Sequence, residues 1–92
     1  MKTKPYRHLN NCLRKYRKAR GLNQQAVAAI LGINSTSMIS RWEMGVCLPD
    51  PLNAFKLAII YRTMVDALFI DLIRDLRVEI LKKEEMVLGI KN

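Results

Sequence analysis

Acidic residues are missing from nearly half of this chain. Residues 1–42 contain no aspartate or glutamate and nine Lys or Arg, whereas residues 43–92 carry seven basic residues against eight acidic ones. The net charge of +8 is therefore confined to the N-terminal half. Such asymmetry is the electrostatic footprint of a surface that meets a polyanion, although a solvated basic face would produce it equally well. Other scarcities narrow the chemistry. His8 is the only histidine, no nucleophile and base recur in a suggestive arrangement, and no glycine-rich phosphate loop is present. The expectation is a protein with no catalytic residues, no metal site, no cofactor and no evident small-molecule substrate. Cys12 and Cys47 are too few and too far apart for a disulfide scaffold or a zinc knuckle, which fits reduced thiols in a cytoplasm. No apolar run approaches the ~20 residues that span a bilayer. The basic start MKTKPYRHLNN has no apolar stretch behind it, unlike a secretory signal. A soluble cytoplasmic protein without membrane contact is expected.

What is present is apolar periodicity. With 92 residues, half of them hydrophobic, one small helical domain is feasible and a second is not. The most informative stretch is LNQQAVAAILGINSTSMISRWEMG, residues 22–45. Asn23 is placed to cap a helix on which Val27, Ile30 and Leu31 recur at helical spacing, and Gly32 supplies a left-handed stop. A second helix starts at Asn34 or Ser35. Its inward residues are Ile39 and Trp42, which leaves Thr36, Ser37, Ser40, Arg41 and Met44 on the opposite face. Small hydroxyls beside one guanidinium suit an element that slides into a DNA major groove and touches base edges.

The segments LNQ, AVAAILG and ISRWEMG, with LRKYRKARGLNQ before them and LPDPLNAFKLA after, resemble the helix-turn-helix of the phage repressor and Cro family, also called the xenobiotic-response-element family of bacterial regulators. The resemblance covers roughly residues 9–69. It implies an all-α, five-helix repressor-like domain, here followed by an extended C-terminal helix. The turn INSTSM is one residue longer than the commonest family version. By position in the family pattern Thr36, Ser37 and Arg41, with Ser40 beside them, are the base readers, and Arg17 pairs with Glu43 to tie the first helix to the third. A glutamine at the position of Gln24 contacts the DNA backbone in that family. The physical reason is the first turn of a helix, where unpaired N–H groups and the positive end of the dipole favour a phosphate. Gln25, Arg14 and Lys18 complete the expected phosphate contacts.

Taken in order, residues 1–8 form a basic arm with Lys2, Lys4 and Arg7 around Pro5. A first helix runs from about Asn10 to Arg20, with Leu9, Leu13 and Tyr16 on one stripe. After the two-helix motif and the loop VCLPDP, a fourth helix starts at Asp50 or Pro51, with Leu52, Phe55, Leu57, Ala58 and Ile59 as its apolar surface. A break near Arg62 and Thr63, where relatives often have glycine, precedes a last helix from about Met64 to Leu88. Val65, Leu68, Phe69 and Leu72 close the core. Phe69, Ile73, Leu76, Ile80, Lys83 and Val87 fall at alternating four- and three-residue steps, a seam able to pack on another helix. Residues 70–92 are therefore expected to serve dimerisation, with Phe69, Ile73, Leu76, Ile80 and Val87 as contacts, unless the helix folds back on its own domain.

The leading expectation is a transcriptional regulator that binds double-stranded DNA as a homodimer on an inverted repeat, most simply a repressor, associated with the nucleoid through DNA. A protein-interaction adaptor built on the same fold, or an antitoxin or mobile-element control protein, stays open on the sequence alone.

Overall fold

The computed structural model describes residues 9–89, and the basic arm expected over residues 1–8 lies outside them. Six helices follow one another: α1 Leu13–Ala19, α2 Gln24–Leu31, α3 Ser37–Glu43, α4 Pro51–Ile60, α5 Val65–Leu68 and α6 Ile70–Leu88, with no strand among the described residues.

Local chemistry accounts for the boundaries. The Asn23 side-chain oxygen accepts the Ala26 N–H at 2.8 Å and starts α2. Gly32 ends it with φ +77°, which lets the Ile33 N–H reach the Ala28 carbonyl at 2.9 Å. The third helix begins at Ser37, later than Asn34 or Ser35, because the Ser35 hydroxyl accepts the Ser37 N–H and also bonds the Ser37 hydroxyl at 2.9 Å. That local bonding holds the longer turn outside the helix. The first helix likewise starts at Leu13 rather than near Asn10, since the Asn11 carboxamide oxygen accepts the Leu13 N–H at 3.0 Å. Asp50 and Pro51 open α4 as the sequence indicates.

One core runs through the first five helices. Leu13, Val27, Ile39, Leu57 and Leu68 are its fully buried side chains, one from each helix, joined by Trp42, Tyr61 and Phe69. Helix α4 corrects the expectation of which face it buries. Ala54, Leu57, Ala58 and Ile60 enter the core while Leu52, Phe55 and Ile59 stay exposed. The helix is apolar nearly all round, so periodicity does not select the face; the two alanines do, by letting neighbouring helices approach closely. Ile30 on α2 is also exposed.

The expected single last helix is broken at Phe69, whose φ of −126° and ψ of 33° separate α5 from α6. Phe69 is buried in its own core and is withdrawn from the dimer seam, and Ile73 packs against that core half-buried. Beyond this point α6 buries nothing: all residues from Arg74 to Leu88 are exposed. The radius of gyration is 15.7 Å, against ~12 Å for a compact chain of this length, because the free part of α6 projects from the body.

Candidate nucleic-acid interface

The framework of the interface is a buried ion pair. Arg17 Nε donates to Glu43 Oε2 at 2.6 Å and Nη2 donates to Oε1 at 3.1 Å, a two-point clamp between α1 and the end of α3. The remaining Arg17 nitrogen, Nη1, donates to the Leu22 carbonyl at 3.0 Å. Gln24 Nε2 donates to Glu43 Oε1 at 3.1 Å and brings the first residue of α2 onto the same carboxylate. The two charged side chains are only 9% and 5% exposed, so each depends on the other for its solvation. The hydrogen bond to Glu43 raises the Arg17 pKa further above its ordinary value, with burial acting against it. Tyr61 lies within the field of this pair. Its phenol is pushed up to about 12, first by burial and then by the Glu43 charge, with Arg17 opposing.

This clamp fixes the pose of α3, which has a buried side of Ile39 and Trp42. The indole N–H of Trp42 has no hydrogen-bond partner among the described residues, so the ring acts as apolar filler. The four expected base readers do not lie equally outward. Ser37 and Arg41 are exposed, one helical turn apart, with Met38 and Met44 exposed beside them. Thr36 is half-buried and lines a groove against Gln25, Ala29 and Ile33 of the α2 side. Ser40 is half-buried on the opposite flank, in a cleft with Arg14, Gln24 and Met44, and its hydroxyl donates to the Met44 sulfur at 3.6 Å.

Of the expected phosphate contacts, Arg14 and Gln24 line that cleft, while Gln25 lines the other groove beside Thr36. Lys18 is exposed one turn beyond Arg14 along α1. The Gln24 side chain is committed to Glu43 through its nitrogen, which leaves its oxygen and the first-turn N–H groups of Gln24 and Gln25 as helix-end donors and acceptors. Gln24 is thus a structural joint as well as a candidate contact, a role sequence reasoning missed. It missed two others. Asn11 Nδ2 donates to the Trp42 carbonyl at 2.9 Å and to the Leu9 carbonyl at 3.0 Å, fastening the start of α1 to the end of α3. Arg20 Nε donates to the Ile60 carbonyl at 3.0 Å and closes the end of α4. An asparagine two residues before a helix is a capping signal and was readable; the long-range reach of Arg20 was not.

Two short helices at the chain's basic end, α2 and α3, the latter carrying an exposed arginine and clamped to α1 by an ion pair, form the arrangement of a DNA-reading motif. Residues 13–68 match the family described as Helix-turn-helix, which is more than half of the chain. The chain belongs to the helix-turn-helix family of phage repressor and Cro type. It is a DNA-binding helix-turn-helix regulator. No curated protein and no solved structure matches it. The match begins with α1 and stops with α5, so α6 lies outside the family's domain. No described helix is long and apolar enough to cross a membrane.

Proposed function

We propose that this helix-turn-helix protein is a cytoplasmic transcriptional repressor that binds an inverted repeat as a homodimer, with α3 in the major groove of each half-site. The exposed Arg41 at the centre of the outward face of α3 carries this reading. Its guanidinium fork matches guanine O6 and N7, a contact that discriminates by ~1 to 3 kcal/mol against a wrong base. Ser37 lies one turn toward the N-terminus of α3 and reads the neighbouring base edge, while Thr36 and Ser40 border the contact on either flank. Arg14, Lys18 and the start of α2, with Gln24 and Gln25, hold phosphates and set the register of α3 without reading sequence.

Homodimerisation follows from the size of the site. One reading helix of seven residues makes few base contacts, and two copies on half-sites multiply their specificity. The projecting α6, with Leu76, Ile80 and Val87 along one side after Ile73, supplies the surface that joins them. The adaptor reading requires a large apolar face on α3, and Ser37 and Arg41 interrupt it. Selection of bound sequences from random double-stranded DNA tests the proposal. The expected product is an enriched inverted repeat with half-site centres about 34 Å apart, one helical turn. Enrichment of no sequence, or of an isolated half-site, would overturn the dimeric repressor.

A further inference from the structure

The molecule carries two apolar faces that its own fold leaves uncovered among the described residues, and they differ in charge. One is on the body. Leu52, Phe55 and Ile59 fall at three- and four-residue steps on the outer side of α4, each more than half exposed, and Ile30 of α2 continues the stripe. Ile30, Lys56 and Ile59 share one groove, so a single cation sits at its edge. The other face is on α6, where Ile80, Lys83, Glu84, Val87 and Leu88 share a shallow concavity, with one cation and one carboxylate at its edge.

We infer that α6 of each copy docks on the α2 and α4 stripe of its partner, so that the dimer is an exchange of C-terminal helices rather than a pair of α6 helices packed on each other. The inference rests on the homodimer reading above and names the surface that receives the seam. Area decides first. With Phe69 buried and Ile73 half-buried, the seam keeps Leu76, Ile80 and Val87, each offering on the order of 100 Å² of apolar surface, ~300 Å² in all. A stable interface removes ~800 Å² per partner, of which ~60%, about 500 Å², is apolar, so the α6 seam against itself falls short. In the exchanged arrangement each copy also contributes Ile30, Leu52, Phe55 and Ile59, another ~400 Å², which takes each side past that apolar share.

Charge points the same way. From residue 9 to 68 the body has eight basic and three acidic residues, whereas α6 has four basic and five acidic. A partner's α6, slightly net-negative although Lys83 stands beside Glu84 in its concavity, meets one Lys56, while α4 against α4 would oppose two copies of Lys56 and α6 against α6 would oppose two net-negative helices. Length is compatible as well: Leu76 to Val87 spans ~17 Å of helix and Leu52 to Ile59 ~11 Å, extended by Ile30.

The test uses the whole chain without DNA, so it does not depend on operator recognition. Phe55→Glu and Ile59→Glu change exposed side chains and should leave helicity by circular dichroism unchanged, while weakening the dimer at least tenfold in sedimentation. As a second measurement, Ile59→Cys and Ile80→Cys chains, each with Cys12 and Cys47 replaced by alanine, are mixed and oxidised. The expected product is the 59-to-80 crosslink between unlike chains. Crosslinks only between two Ile80→Cys chains, with the Phe55→Glu dimer as tight as wild type, would overturn the exchange and leave the homodimer standing. A wild type that is monomeric at micromolar concentration would overturn both.

Discussion

The body formed by residues 9–69 and the projecting helix α6 obey opposite rules. The body places a fully buried apolar side chain from each of five helices in one core and locks α1 to α3 with an ion pair that water barely reaches. Helix α6 buries no residue, and its ion pairs, Asp71 with Arg74 and Glu79 with Lys83, lie on solvent-exposed flanks. The same chemistry, a carboxylate beside a cation, therefore has different consequences in the two regions. In the body each charge has exchanged its water for its partner, so loss of one strands the other. On α6 water replaces whatever is lost.

The largest expected effect follows from that difference. Glu43→Ala should destabilise the body by about 3 to 5 kcal/mol, because Arg17 is left buried without its carboxylate and Gln24 loses its acceptor. Glu79→Ala removes an exposed pair at 3.6 Å and should cost at most about 0.5 kcal/mol. Chemical denaturation of both variants measures the contrast, and equal losses would erase it.

A smaller effect distinguishes the regions by pH. The Tyr61 phenol is pushed up to about 12 in the fold, from an ordinary value of 10. The folded state then holds a proton that the unfolded state releases, so this contribution is complete below pH 10 and is lost as pH rises toward 12. The loss amounts to about 2 to 3 kcal/mol at full titration. Tyr61→Phe should show a shallower decline over that range. Identical declines in the two proteins would place the alkaline sensitivity elsewhere.

Where the sequence was legible follows the same division. In the body, local signals and tertiary demands agree: Asn23 caps, Gly32 stops, Ile39 and Trp42 turn inward, and Arg17 meets Glu43. Legibility failed where two local signals competed. Ser35 bonded Ser37 instead of joining α3, and α4 offered two apolar faces of which only packing could choose one. The α4 end was legible in place, since the break near Arg62 and Thr63 falls between α4 and α5. Arg62 occupies the left-handed region with φ +57°, and its Nη1 donates to the Ile59 carbonyl at 3.0 Å. The break was readable, but not that an arginine, a residue type that seldom adopts this conformation, makes it by turning left-handed. On α6 the heptad spacing was readable, but Phe69 was expected both in the core and in the seam, and only packing assigns it to the core.

The most direct measurement of the account is the effect of Arg41→Ala on two affinities at one salt concentration, that for the selected operator and that for random DNA. An arginine at the centre of the α3 face that reads guanine should lose about 1 to 3 kcal/mol on the operator and much less on random DNA, so the ratio between the two contracts. A parallel fall in both affinities would make Arg41 a phosphate contact and contradict the assignment of α3 as the reader of sequence.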